Sequence, residues 1–148
     1  MTDHIESLVP ADLLPPVRTQ ADLHLLWRRL MGELGFAAPQ IWVLLLRDGR
    51  LIRPIKLEQM PAHPTPDAAA NIGRLVEMVQ GLDAGALDCA FLFARPGGPT
   101  RTPSDLAWAR LLAPHSPWPI HLANDHDLTV VAGDDVATGQ DDPLGRTA

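Results

Sequence analysis

Apolar residues recur at helical spacing in three stretches of the chain, and each stretch follows a residue that can cap a helix. Thr19 and Asp22 have the spacing of a capping box, and an apolar stripe from Leu23 to Leu34 follows them. At the other two starts a proline comes directly after the threonine, where a missing N–H costs nothing. The pattern therefore predicts three helices, which begin after Thr19, Thr65 and Thr102 and end near Gly35, Leu82 and Ala113.

Short apolar runs between these helices predict five strands. Asp48-Gly49 is a strong hairpin signal, because a type I′ turn needs a positive φ at both central residues. Pro54 lies in the return strand of that hairpin and has no N–H to donate, so this strand is expected at a sheet edge. A continuous apolar run is typical of a strand covered on both faces. The predicted strands are Ile41–Leu46, Leu51–Leu57, Leu87–Phe93, Ile120–Ala123 and Leu128–Val131.

The resulting element order is α-β-β-α-β-α-β-β, with no internal repeat. A hairpin followed by strands that alternate with helices predicts an α/β protein with a mixed β-sheet and helices flanking it, in a three-layer-like arrangement. Such a sheet buries enough apolar surface at this length for one domain.

The formal charge of −6 belongs to the two ends of the chain. Residues 1–17 hold three acids and no base, residues 134–148 hold four acids and one base, and residues 18–133 hold 11 of each sign. We expect an acidic, partly ordered N-terminal segment over 1–17, a single α/β domain over 18–133 and an acidic flexible tail over 134–148. A neutral body argues against nucleic-acid binding, which requires a basic surface.

The composition of the chain excludes several further classes of protein. A single cysteine excludes a disulfide scaffold and a four-thiolate zinc site. No apolar run reaches the ~18 residues that a membrane span needs, and the acidic N-terminus is unlike a signal peptide. The sequence therefore predicts a cytoplasmic protein without a membrane partner.

The segment from Phe93 to Asp105, taken with the element order, resembles the JAB/MPN fold and in particular the bacterial RadC-type proteins. Those proteins carry a metal-binding His-x-His-Pro, a glycine-containing loop and a Ser-x-x-Asp that enters a helix. Pro96, Gly98 and Asp105 match the family's proline, glycine and metal-binding aspartate when one loop residue is deleted, and Thr102 replaces the serine. The run from Val43 to Ile52 is similar to the first hairpin of that family, so the resemblance covers residues 19–133.

Both metal-binding histidines of that motif are absent, because Phe93 and Arg95 stand at their positions. A zinc hydrolase needs three protein ligands and one open position for water. The related cytidine deaminases need His-x-Glu and Pro-Cys-x-x-Cys, whereas Cys89 lies inside a predicted strand. The resemblance therefore implies a non-catalytic JAB/MPN-like interaction or scaffolding module with no metal or cofactor, which binds a protein partner or forms a homodimer.

The loop that contains Arg95, Thr102 and Asp105 is the leading candidate for a ligand site. Arg95 can contact an anion beside the N-terminus of the third helix, which would make the protein a small-ligand sensor or a hydrolase-like enzyme. The alternative is that Arg95 and Asp105 pair with each other and stabilise the loop. Trp118 lies between two prolines and is the candidate for an exposed interface residue.

Other residues have a structural and a functional interpretation, and the structural one is favoured for each. Ser104 lies in a helical first turn with no histidine near it in the sequence, so it is expected to serve the cap. Cys89 is expected in the core. His63 lies in a proline-rich connector. A solvated turn is expected at one group of residues, with a metal cluster as the alternative: His121, Asp125, His126 and Asp127. Protection of a sheet edge is expected of a second group, with binding of an acidic partner as the alternative: Arg47, Arg50, Arg53 and Lys56.

Overall fold

The computed structural model describes residues 16–82 and 87–131, and within these ranges it contains three helices and five strands. The predicted order α-β-β-α-β-α-β-β is confirmed. A short 3₁₀ turn, Ala113–His115, follows the last helix. The elements are α1 (Gln20–Met31), β1 (Gln40–Arg47), β2 (Arg50–Leu57), α2 (Pro66–Gln80), β3 (Leu87–Ala94), α3 (Pro103–Leu112), β4 (His121–Ala123) and β5 (Leu128–Val130).

The strands form one mixed sheet in the order β2-β1-β3-β4-β5. β1 pairs antiparallel with both β2 and β3, and β4 pairs antiparallel with β5. β3 and β4 are parallel, because α3 carries the chain back between them. The α/β class and the mixed sheet are therefore confirmed.

The helices cover the two faces of the sheet and enclose two separate cores. On one face, α2 and α3 contribute Ile72 and Trp108, which lie in the same buried cluster as Phe91. On the other face, α1 contributes Leu23 and Trp27 to a second cluster. Alternate residues of the central strands enter opposite clusters, as strand geometry requires. This arrangement explains why β1 and β3 are almost continuously apolar.

The three helix starts form as predicted. The Oγ1 of Thr19 accepts the N–H of Asp22 at 3.1 Å, and the carboxylate of Asp22 accepts the N–H of Thr19 at 3.1 Å. The same reciprocal pair opens α3 between Thr102 and Asp105. Thr65 caps α2 by accepting the N–H of Ala68 at 3.1 Å.

The hairpin turn between β1 and β2 has a second function, which is to seat the segment before α1. Asp48 and Gly49 adopt φ values of 51° and 80°, as the turn type requires. The N–H of Val17 donates to the carbonyl of Gly49 at 2.7 Å, and a Cβ on Gly49 would lie 2.3 Å from the carbonyl oxygen of Val17. Val17 is buried, so the core begins before the predicted start of the domain at residue 18.

Both edges of the sheet carry features that discourage further pairing. Pro54 lies in β2, opposite Leu44 of β1. β2 is the first strand in the sheet order, so the predicted edge position of Pro54 is confirmed. Lys56 lies over the ring of Trp42, and its ammonium pairs with Glu58 at 3.1 Å. At the other edge, the guanidinium of Arg101 donates to the carbonyl of Val130 at 2.8 Å. These features support the edge-protection interpretation of the basic hairpin.

Two predicted boundaries were wrong. α1 ends at Met31, because Gly32 adopts φ 62° and donates its N–H to the carbonyl of Arg28, one turn before Gly35. Leu82 lies beyond the end of α2 and is 50% exposed, so it is not part of the buried face. No helix in residues 16–82 and 87–131 is long and apolar enough to cross a membrane. The predictions for the acidic ends fall outside the described residues, apart from positions 16 and 17.

Candidate functional site

Arg95 follows the last residue of β3 and reaches the first turn of α3, where it forms a bidentate ion pair with Asp105. Its Nε lies 2.7 Å from Oδ1 and its Nη2 lies 2.8 Å from Oδ2. The Arg95 side chain is 14% exposed and that of Asp105 is 3% exposed. Two parallel bonds of this kind fix the position of both groups. The pair therefore connects the end of β3 to the start of α3.

The remaining donors of Arg95 hold the loop that joins these elements. Nη1 donates to the carbonyls of Pro96 at 3.1 Å and Gly98 at 3.0 Å, and Nη2 donates to the carbonyl of Thr100 at 2.9 Å. With the two bonds to Asp105, all five N–H donors of the guanidinium are used. The guanidinium of Arg95 is thus the group around which the loop is arranged.

Charge and capping reinforce this arrangement. Burial raises the pKa of Asp105, but the hydrogen bonds from Arg95 and from the N–H of Thr102 outweigh it and leave the pKa below its ordinary value. The hydrogen bond to Asp105 raises the pKa of Arg95. Both groups are therefore charged at neutral pH, and the pair is nearly neutral as a whole.

The structure brings the three predicted ligand-site residues, Arg95, Thr102 and Asp105, into one cluster. Phe93 stands at the other histidine position of the resembled motif. It lies on the side of the sheet that α3 covers and stacks on Trp108, with ring centroids 5.5 Å apart. The ion-pair interpretation of the loop matches this geometry. Contact between Arg95 and an external anion requires the loss of at least one internal bond.

The turn between β4 and β5 links three loops. Asp125 accepts the N–H of Phe36 on Oδ1 at 3.0 Å and the N–H of Gly97 on Oδ2 at 2.8 Å. Asn124 closes the turn by accepting the N–H groups of His126 and Asp127. The carboxylate of Asp125 is thus engaged by backbone groups, which lower its pKa. Among the described residues no three metal-binding side chains converge, so these groups do not form the metal cluster that was the alternative to a solvated turn.

His121 lies apart from that turn, fully buried on the α1 side of the sheet. Its ring centroid is 5.4 Å from that of His24 and 6.3 Å from that of Trp27. Within the part of the chain that the structure describes, neither ring nitrogen has a hydrogen-bond partner. Burial and the nearby His24 together lower the pKa of His121 to about 4, although the backbone of Pro119 acts in the opposite direction.

Ser104 and His63 form a contact that the sequence did not reveal. The Ser104 Oγ lies 3.0 Å from the His63 Nδ1, although 41 positions separate the two residues. The expectation that Ser104 serves the cap was wrong, because Thr102 and Asp105 already complete the capping box. The signal available in the sequence was the rigid proline-rich setting of His63, but nothing local connects it to α3.

Trp118 is half-buried and packs against the α1-side core, so the expectation that it is exposed was only partly met. It also lines a cavity of about 350 Å³ with largely apolar walls. A second cavity, of about 250 Å³, is lined in part by Cys89 and His115. Burial raises the pKa of the Cys89 thiol to about 11, which leaves it protonated at neutral pH. Cys89 is therefore the core residue that the sequence predicted.

Comparisons with protein-family models, with curated proteins and with solved structures found no match to this chain.

Proposed function

We propose that this protein is a protein-interaction module of the JAB/MPN type that is non-catalytic at the metal position, where an internal ion pair stands in place of the metal ion of the resembled proteins. The observation that carries the proposal is the saturation of Arg95. Its five donors bind Asp105 and three loop carbonyls. Under the proposed resemblance, this permanent protein cation takes the position of the metal. A hydrolytic metal also needs an open position for water, and a saturated guanidinium offers none.

The interaction surface that we assign is the one around Trp118, and its partner is a second copy of this chain. The half-buried ring beside a largely apolar cavity supports this assignment. Both sheet edges are protected, which argues against association by strand pairing. Association through side-chain surfaces is the remaining way for two copies to bind. The charge balance of residues 18–133 supports a protein partner over nucleic acid, and the single cysteine supports the cytoplasm.

Metal analysis of the purified full chain tests the first part. We expect less than about 0.1 zinc per chain after exposure to zinc and removal of the excess. One zinc per chain that resists removal and is lost in Asp105→Asn would overturn the proposal.

Sedimentation equilibrium tests the second part. We expect a concentration-dependent dimer that Trp118→Ala weakens, whereas Trp42→Ala does not. Trp42 is a suitable control because it is also half-buried and packs against the same core, but it lies on β1 beneath Lys56 of the edge strand β2. A chain that stays monomeric at all concentrations, or a dimer that both variants weaken equally, would contradict the assignment.

The alternative is a small-ligand sensor or hydrolase-like enzyme that uses Arg95, Thr102 and Asp105. It requires a ligand that replaces the carbonyl contacts of Arg95 with stronger ones. A thermal-shift screen of small carboxylates and phosphates addresses it, because a ligand that binds the native state raises its stability. A shift that Arg95→Met abolishes would favour this alternative over the interaction module.

A further inference from the structure

The hydroxyl of Ser104 has no structural duty at the start of α3. The capping box is complete without it, since Thr102 supplies the hydroxyl and Asp105 the carboxylate. The one hydrogen bond that the described residues give to the Ser104 side chain is to a ring nitrogen of His63, at 3.0 Å. A serine hydroxyl within hydrogen-bond reach of an imidazole is the starting arrangement of nucleophilic catalysis.

The backbone that leads to His63 is held in place by the same helix that carries the hydroxyl. Trp108 lies one turn after Ser104 on α3, and its Nε1 donates to the carbonyls of Pro61 at 3.2 Å and Ala62 at 3.1 Å. These bonds fix the two residues that precede His63, and a proline follows it. A general base needs a partner that orients it, and here Trp108 orients the backbone that carries the base.

The surroundings of the pair suit a reaction in which negative charge develops beside Ser104. The residue lies in the first turn of α3, where backbone N–H groups favour an anion. Ser104 is the second residue of α3, so its backbone N–H has no acceptor within the helix and is available to an oxyanion. The neighbouring carboxylate of Asp105 does not oppose this charge, because Arg95 neutralises it. His63 is exposed, so a substrate reaches the pair from solvent.

We propose that Ser104 and His63 form a nucleophile–base pair that hydrolyses carboxylic esters. The Oγ of Ser104 attacks the ester carbonyl, and its proton passes to Nδ1 of His63. The bond to the alcohol breaks, the alcohol leaves with that proton, and an acyl-serine remains. Water then attacks the acyl group, His63 accepts the proton of the water, and the acid leaves as the proton returns to the Oγ. The net reaction consumes one ester and one water and yields one acid and one alcohol.

Covalent labelling of the full chain with an alkyl fluorophosphonate tests the nucleophile without any substitution. We expect one label per chain, located on Ser104 by peptide mass spectrometry. Labelling spread over several residues, or none after prolonged incubation, would refute the proposal. This result needs no variant to fold.

Hydrolysis of p-nitrophenyl acetate tests the roles of the two residues. We expect Ser104→Ala to abolish the pre-steady-state burst, and His63→Gln to reduce the acylation rate by at least about tenfold, within the range of general-base catalysis. Ser116→Ala is the matched control, because the hydroxyl of Ser116 accepts the N–H of Trp118 on a separate loop.

A structural role would give a different outcome. If the contact only attaches the connector to α3, both substitutions lower the unfolding temperature and leave ester hydrolysis at the wild-type rate. These outcomes are independent of metal content and of dimer formation, so this proposal and the interaction module can fail separately.

Discussion

His121 makes the stability of this protein sensitive to mild acid. Its side chain is 0% exposed, and neither ring nitrogen has a hydrogen-bond partner in residues 16–82 and 87–131. No anion faces His121 from α1 to balance a positive charge on its ring. The groups near it on that helix are His24, which faces it, and Arg28, which lies beside His24. A proton on His121 would therefore be buried without a counter-ion. The folded chain avoids this by keeping the imidazole neutral.

The cost follows from the two pKa values of His121. The unfolded chain takes up the proton near the ordinary value of 6.5, whereas the folded chain does so only at about 4. Between these values the unfolded state binds more protons, so stability is complete above pH 6.5 and falls as the pH drops to 4. At about 1.4 kcal/mol for each pKa unit, the loss amounts to about 3 kcal/mol. His24 adds a smaller loss of the same sign.

Urea unfolding between pH 7 and pH 4, followed by tryptophan fluorescence, measures this loss. We expect His121→Leu to be at least as stable as the wild type at pH 7, because it removes two unpaired polar atoms, and to lose about 3 kcal/mol less on acidification. His126→Gln is the control, since His126 is exposed in the β4–β5 turn. The carboxylates with lowered pKa values titrate below this window. Parallel losses in the wild type and His121→Leu would refute the reasoning.

Three further outcomes follow from the geometry. Arg95→Met should destabilise the fold by about 3–5 kcal/mol in urea unfolding, because it leaves a buried carboxylate unpaired; a loss below about 1 kcal/mol would contradict the central position of the guanidinium. Gly49→Ala should lower the unfolding temperature, because Gly49 has a positive φ and a Cβ there would clash with the carbonyl of Val17. Gly98→Ala should change the unfolding temperature little, because a Cβ at position 98 meets no other atom. Cys89 should react with Ellman's reagent only after unfolding, so rapid reaction of the native protein would show that the thiol is accessible.

The fold was predictable because its signals are local. The caps at Thr19, Thr65 and Thr102 and the Asp48-Gly49 turn each specify a few neighbouring residues, and the structure forms all of them. The error at the end of α1 has the same origin. Two glycines stand three positions apart, and the apolar stripe continues past the first of them, whereas the backbone stops at the first.

The candidate site was predictable only where its partners lie on one loop. Arg95 and Asp105 are ten positions apart, and their pairing was one of two interpretations that the sequence offered. Ser104 and His63 meet only because the sheet brings α3 against the connector after β2, which no local pattern encodes. Asp125 was considered as a metal ligand for its chemistry, but its partners are backbone N–H groups, which leave no trace in a sequence.

Three of the five bonds that Arg95 donates end on main-chain carbonyls, so its side chain is matched to the path of the loop and not to the residues along it. Substitution of Pro99 should therefore leave the path unchanged, whereas inserting a single residue between 96 and 100 displaces the carbonyls from a guanidinium of fixed shape. Related chains that keep this arginine and aspartate should hardly vary in loop length, and their loop composition should vary except at Gly97, which has a φ of 110°.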